Sequence, residues 1–134
     1  MTNPYVLDAF PVLCWLQEEP GHQILENLLS EAEEGKCTLW MNIVNLGEVF
    51  YRICKVVSLT KAEQTVAKIR ILPISIVSAS DEMVMEAARI KGKHPISYAD
   101  AFAVATALGV GAPVVTGDPE YRSVEKVVKI LWVR

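Results

Sequence analysis

Short apolar runs alternate along this chain with longer stretches in which apolar residues return every three or four positions. The first run, in YVLDAF, ends at Asp8. His22 to Gly35 (HQILENLLSEAEEG) sets Ile24, Leu25, Leu28 and Leu29 on one face and predicts a helix stopped by Gly35. A second run, CTLWMNIV, leads into a helix expected from about Asn45 to Val57, and LTKAEQTVAKIR starts another with Thr60 and Glu63 as a capping box. LPISIV predicts a strand and SDEMVMEAARIKG a helix. PISYADAFAVATALG predicts a helix with Ser97 as N-cap and Gly109 as its end, and APVVTGD and VVKILWV read as two closing strands. β-Branched strands alternating with amphipathic helices mean an α/β fold with a largely parallel sheet. No repeat, linker or low-complexity segment interrupts the pattern.

Composition narrows the class. The 134 residues, 51% of them hydrophobic, suffice for one domain over 1–134 with a sizeable core. Charges or prolines break every apolar run well short of a membrane span, and the N-terminus lacks the order of a signal peptide, so a cytoplasmic protein with no membrane partner is expected. Cys14, Cys37 and Cys54 form no C-x-x-C pair and leave one over, which indicates neither zinc nor a disulfide framework; all three are expected reduced and mostly buried. With 13 basic against 16 acidic residues the net charge is −3, so a polyanionic partner needs a local basic patch or bound cations.

Four acids stand at particular places on this frame. Asp8 ends the first strand and Asp118 lies just past Val114 and Val115, where open parallel sheets form their binding crevice. Glu48 and Asp100 fall three residues after Asn45 and Ser97, each read as an N-cap, and therefore in the first turn of a helix. Each acid has a local explanation: Asp8 as a turn residue, Asp118 as part of the turn TGDPEY, Glu48 and Asp100 as capping acids. If the two helix starts share the rim reached by the strand ends, all four carboxylates converge. Like charges at short range oppose ionisation, and oxygen-only ligands suit the hard cations Mg²⁺ or Mn²⁺ that reverse this cost. Such sites hydrolyse phosphodiesters.

The stretches YVLDAFPVLCWLQEEPG, NLGEVFYR, ISYADAFAVATA and VVTGD together resemble, in order and spacing, the four acidic motifs of PIN-domain nucleases, specifically the VapC-type toxins of toxin–antitoxin pairs. The resemblance covers essentially the whole chain. It implies a PIN-like fold with a five-stranded parallel sheet flanked by helices, and a Mg²⁺- or Mn²⁺-dependent endoribonuclease that leaves 3′-hydroxyl and 5′-phosphate ends. A homodimer inhibited by a small cognate antitoxin is also implied. Carried over residue by residue, the metal ligands are Asp8, Glu48, Asp100 and Asp118, and Thr116 matches the hydroxyl position of the T-x-D signature, orienting a carboxylate or a water at the metal. One departure stands out: many relatives carry Ser or Thr directly after the first aspartate, and this chain has Ala9.

Arg52 and Lys55 follow Glu48 at helical spacing and, with Arg122, are the expected RNA contacts; an ordinary Glu48–Arg52 surface pair competes with that reading. Lys91, Lys93 and His94 form either a second basic patch or, more commonly for such a run, a solvated loop, and Glu120 is either a peripheral acid or a turn residue. His22 and His94 lack a ligand pattern. Ala99, Ala103 and Ala107 recur at one-turn spacing and predict close packing of the Asp100 helix, with Phe102, Val104 and Leu108 as core. Trp15, Trp40 and Trp132 are assigned to core or interface. Leu46, Val49, Phe50, Ile53 and Val57 make their helix more apolar than one sheet requires, leaving surface for self-association or an antitoxin. A haloacid-dehalogenase-type phosphatase needs a second aspartate where Phe10 stands, and a Rossmann protein needs a glycine-rich loop that is missing. The alternative that survives is a non-catalytic PIN-like module binding RNA or protein.

Overall fold

The computed structural model describes residues 2–134. Five parallel strands, β1 (Asn3–Leu7), β2 (Cys37–Asn42), β3 (Ile74–Val77), β4 (Val114–Thr116) and β5 (Ile130–Trp132), lie in the order β3-β2-β1-β4-β5. Six α-helices connect them: α1 (Ala9–Leu16), α2 (His22–Glu33), α3 (Ile43–Val56), α4 (Leu59–Arg70), α5 (Asp81–Lys93) and α6 (Tyr98–Val110). A 3-10 turn, Pro119–Val124, follows β4. This is the PIN-like α/β sheet expected from the sequence.

The side-chain period of two in a strand divides the core between the two faces of the sheet. Val6 of β1 and Val114 of β4 face a cluster built on α5, α6 and the 3-10 turn. Their neighbours Leu7 and Val115 face the opposite cluster, which holds Leu25, Leu28, Leu39, Met41, Leu46, Val49 and Ile69. Val6, Leu7, Val114 and Val115 are all fully buried, which explains why β1 and β4 read as continuous apolar runs. Helix α6 is buried at every residue from Asp100 to Ala107 and packs against β1, β2 and β4 as well as α3 and α5. Its alanines are what permit that approach, with Ala103 and Ala107 in the core and Ala99 only half-buried. Leu108, expected in the core, is 43% exposed because it turns away from the sheet at the last turn.

Several boundaries differ from the sequence reading. Helix α3 starts at Ile43, capped by Asn42, whose side chain accepts from the Val44 amide. Asn45 is therefore inside the helix and buried, and Glu48 stands in the second turn rather than the first. Ser58 caps α4 by accepting from the Lys61 amide, which displaces the expected Thr60–Glu63 box. Helix α6 runs past Gly109 and closes at Gly111, whose left-handed φ of 70° suits a C-cap. Ser97 caps α6 as expected, accepting from the Asp100 amide at 3.1 Å. Helix α1, hidden in an apolar run containing Pro11, was not anticipated; the proline sits in the first turn, where its missing N–H costs nothing. Cys14 and Cys37 are buried and Cys54 half-buried, all three as free thiols.

Candidate metal centre

Strand order reverses around β1: the chain proceeds outward through β2 and β3, then returns to add β4 and β5 on the other side. Parallel sheets open a crevice at such a switch point, beyond the carboxyl ends of the two diverging strands. Asp8 follows β1 directly, and its amide extends the ladder to the Val115 carbonyl of β4 at 3.2 Å. Thr116 ends β4 and donates its hydroxyl proton to Asp8 Oδ2 at 2.9 Å, while its own Oγ1 accepts from the Asp118 amide at 3.1 Å. One buried hydroxyl thereby fixes two of the expected acids to each other.

Helices α3 and α6 supply the other two. Carboxylate oxygens of Asp8, Glu48 and Asp100 lie within 4.8 Å of one another, and Asp100, Asp118 and Glu120 form a second such trio that shares Asp100. Glu48 reaches the group from the second turn of α3, while Asp100 reaches it from the first turn of α6. The acids singled out in the sequence are thus brought together in two overlapping groups, with Glu120 added on the exposed side.

Local capping accounts for only part of this. Asp118 does cap the 3-10 turn, accepting from the Glu120 amide at 2.9 Å. Asp8 occupies the N-cap position of α1 yet makes no capping bond with its side chain, and its Oδ1 is buried without a partner. Glu48 gives Oε2 to Arg52 at 2.9 Å, the pair weighed as a competitor, but leaves Oε1 buried and unpaired. Orphaned carboxylate oxygens are costly in a folded chain, and a divalent cation among them is the partner whose chemistry fits.

Electrostatics agree. Burial pushes the Asp8 carboxyl up to about 6; the Thr116 hydrogen bond opposes this and the Glu48 charge adds to it. Burial, followed by the charges of Asp8 and Asp118, pushes Asp100 up to about 8. Tyr121 donates to Asp100 Oδ1 at 3.3 Å, and burial together with the charges of Asp8 and Asp100 holds its phenol well above the usual range, so it remains a donor. Without a cation these carboxyls bind protons more tightly than solvent-exposed acids do. With one, the same crowding becomes a ligand set.

A cleft of about 520 Å³ opens over the acids, lined by Asp8, Glu48, Asp100 and Asp118, by Phe10 and Leu13 of α1, and by Arg52, Lys55 and Val56 of α3. Lys55 stands over the Tyr51 ring at 5.5 Å. Arg122 is outside this lining; its guanidinium stacks on Trp132 at 5.1 Å and approaches Glu125 at 3.8 Å. Two residues of the site went unnoticed in the sequence. Tyr121 was hidden in turn chemistry, and its only signal was an aromatic residue three positions after Asp118. Arg134, which also lines the cleft, stacks on the Phe10 ring at 5.0 Å. Nothing in the local sequence links it to the acids.

Residues 5–127 match the family model of the PIN domain. In fold the chain is similar to VapBC2 from Rickettsia felis bound to a DNA fragment from their promoter, at a TM-score of 0.72 and 15% identity, over 96% of this chain and 97% of that one. DNA-bound VapBC from Salmonella typhimurium gives a TM-score of 0.72 at 15% identity, with 100% of both chains covered. VapC20 from Mycobacterium tuberculosis, a sarcin–ricin loop cleaving toxin, gives 0.70 at 14% identity, over 88% of this chain and 92% of that one. No curated protein matches the sequence.

Proposed function

The chain belongs to the PIN-domain family, and we propose that it is a Mg²⁺- or Mn²⁺-dependent endoribonuclease of the VapC type. The observation that carries this reading is the convergence of Asp8, Glu48 and Asp100 within 4.8 Å, with Asp8 Oδ1 and Glu48 Oε1 buried and unpaired. These three acids hold the cation, and Asp118 completes the rim of the site. A divalent cation bound there supplies water activation and charge stabilisation for phosphodiester hydrolysis.

The chain's own side chains do the positioning. Thr116 fixes the Asp8 carboxylate through Oδ2 and leaves Oδ1 for the cation. Arg52 holds Glu48 by one oxygen in the same manner. Lys55 and Arg134, both on the cleft wall, are cations placed to meet RNA phosphates, Arg134 while also stacking on Phe10 and approaching Glu19 at 3.8 Å. The Ala9 departure removes one hydroxyl near the acids, while the buried Thr116 hydroxyl still orients Asp8 from the end of β4.

Partners follow from the surface beside the cleft. Val56, Val57, Leu59 and Ile71 are 81%, 64%, 54% and 84% exposed along the end of α3 and both ends of α4. Val56 and Val57, which line the cleft, with Leu59 next to them in the chain, offer an apolar edge suited to an antitoxin segment or a second copy of the chain. No helix among the described residues is long and apolar enough to cross a membrane.

The test is cleavage of a mixed structured-RNA pool by purified, antitoxin-free protein with Mg²⁺, Mn²⁺ or EDTA, beside a folded Asp100→Asn variant. Metal-dependent cuts that vanish in the variant are expected. No cutting in any lane, together with no Mn²⁺ binding by calorimetry, would replace the nuclease with a non-catalytic binding module.

A further inference from the structure

Asn45 is fully buried and donates from Nδ2 to the Ala99 carbonyl at 3.0 Å, joining α3 to the first turn of α6 across 54 residues of sequence. Its carboxamide oxygen is buried with no partner. As a contribution to stability this is a poor arrangement, because an unpaired buried acceptor offsets much of what the single hydrogen bond gains. A local rule is broken here, and such breaches concentrate where function demands them.

What the bond joins explains its presence. Asn45 precedes Glu48 by three residues on the same face of α3, and Ala99 immediately precedes Asp100 on α6. The two acids it flanks come from helices joined through two further helices and a strand, yet their carboxylates must lie within 4.8 Å. Thr116 performs the corresponding service for Asp8 and Asp118. Among the described residues, the Asn45 amide is the side-chain hydrogen bond that ties α3 to α6 next to the acids.

We propose that Asn45 is a positioning residue of the metal centre, and that its amide sets the separation of Glu48 and Asp100 at the value a divalent cation requires. The inference rests on the metal-site reading above. Asn45 does not line the cleft and acts only through the two helices it joins.

The experiment is Mn²⁺ titration of the full chain by calorimetry, with free Mn²⁺ followed by electron paramagnetic resonance, for the parent, Asn45→Ala, Asn45→Leu and Val49→Ala. The two Asn45 variants make opposite packing errors but lose the same amide. Val49 is equally buried on the same helix and makes no bond to α6 through its side chain. We expect both Asn45 variants, folded by circular dichroism, to bind Mn²⁺ about ten- to a hundredfold more weakly, as loss of supporting groups around metal ligands commonly does. Val49→Ala should lose thermal stability and keep its affinity within about twofold of the parent. Asn45 variants that bind as the parent does, or a Val49→Ala variant that weakens binding equally, would overturn the proposal. A parent that takes up no Mn²⁺ would instead remove the metal-site reading, and the role of Asn45 with it.

Discussion

Removing divalent cations from this protein should make it less stable as the pH rises. Asp8 and Asp100 have ordinary values of 3.8 and folded values of about 6 and about 8, raised chiefly by burial. The folded state therefore holds protons that the unfolded chain has released. Stability from these groups is fully present below the unfolded value near 3.8 and is lost as pH passes through the folded ones. Between pH 5 and 8.5, Asp8 gives up about 1 kcal/mol, and Asp100 several kcal/mol more because its folded value is higher. Roughly 5 kcal/mol in all is a large share of what holds a domain of this size together, and corresponds to a fall in Tm of about 15 °C. Thermal unfolding in EDTA at intervals across that window measures it. The double variant Asp8→Asn/Asp100→Asn should show a nearly flat profile over the same range. A parent Tm that holds level or rises from pH 5 to 8.5, or a double variant that falls as steeply, would refute the reasoning. Saturating Mn²⁺ should recover the loss at the alkaline end, by about 3 kcal/mol at a hundredfold excess over Kd.

Three further changes probe the frame around the acids. Thr116→Val keeps the shape but leaves Asp8 Oδ2 and the Asp118 amide without their partner; it should cost about 1–3 kcal/mol in urea unfolding. Carbon-13 titration should place the Asp8 carboxyl higher in the variant than in the parent, since the Thr116 bond pulls it down. Gly117→Ala puts a methyl group 2.7 Å from Phe10 Cζ, forcing the ring off its place beneath Arg134 at a cost of about 1–3 kcal/mol. Adding Phe10→Ala should cost less in that background than alone, as a double-mutant cycle will show. Ser58→Ala should lose about 1 kcal/mol in denaturant unfolding and Thr60→Ala only a few tenths, because Ser58 makes the cap of α4.

The strands and the acids at their ends were legible because buried parallel strands are nearly all β-branched or aliphatic, and a charge that stops such a run marks the rim of the sheet. Helix starts were less so. In MNIVNLGE two asparagines three residues apart can each cap, and the β-branched Ile43 and Val44 between them read as more strand. Only the Asn42 side chain, bonded to the Val44 amide and to Thr106, decides the matter. Gly109 and Gly111 present the same ambiguity at the end of α6, resolved by the positive φ at Gly111. Tyr121 and Arg134 were illegible for a different reason. Each reaches the site across the fold, Tyr121 to Asp100 and Arg134 to Phe10, and no spacing along the chain records such a contact.

The Asp8–Thr116 bond spans 108 positions of the chain. During synthesis, Asp8 leaves the ribosome well before β4, the strand that aims its carboxylate. A nascent chain that has reached Asp100 already owns three of the clustered acids but has no β4, and one side of β1 remains an open edge. The arrangement acts as a timing device. A chain that stops before β4 contains most of the acids but lacks the strand that positions Asp8, so the cluster is complete only once β4 has been made. Without β4, one edge of β1 stays unpaired, the kind of edge on which strands from other chains can add.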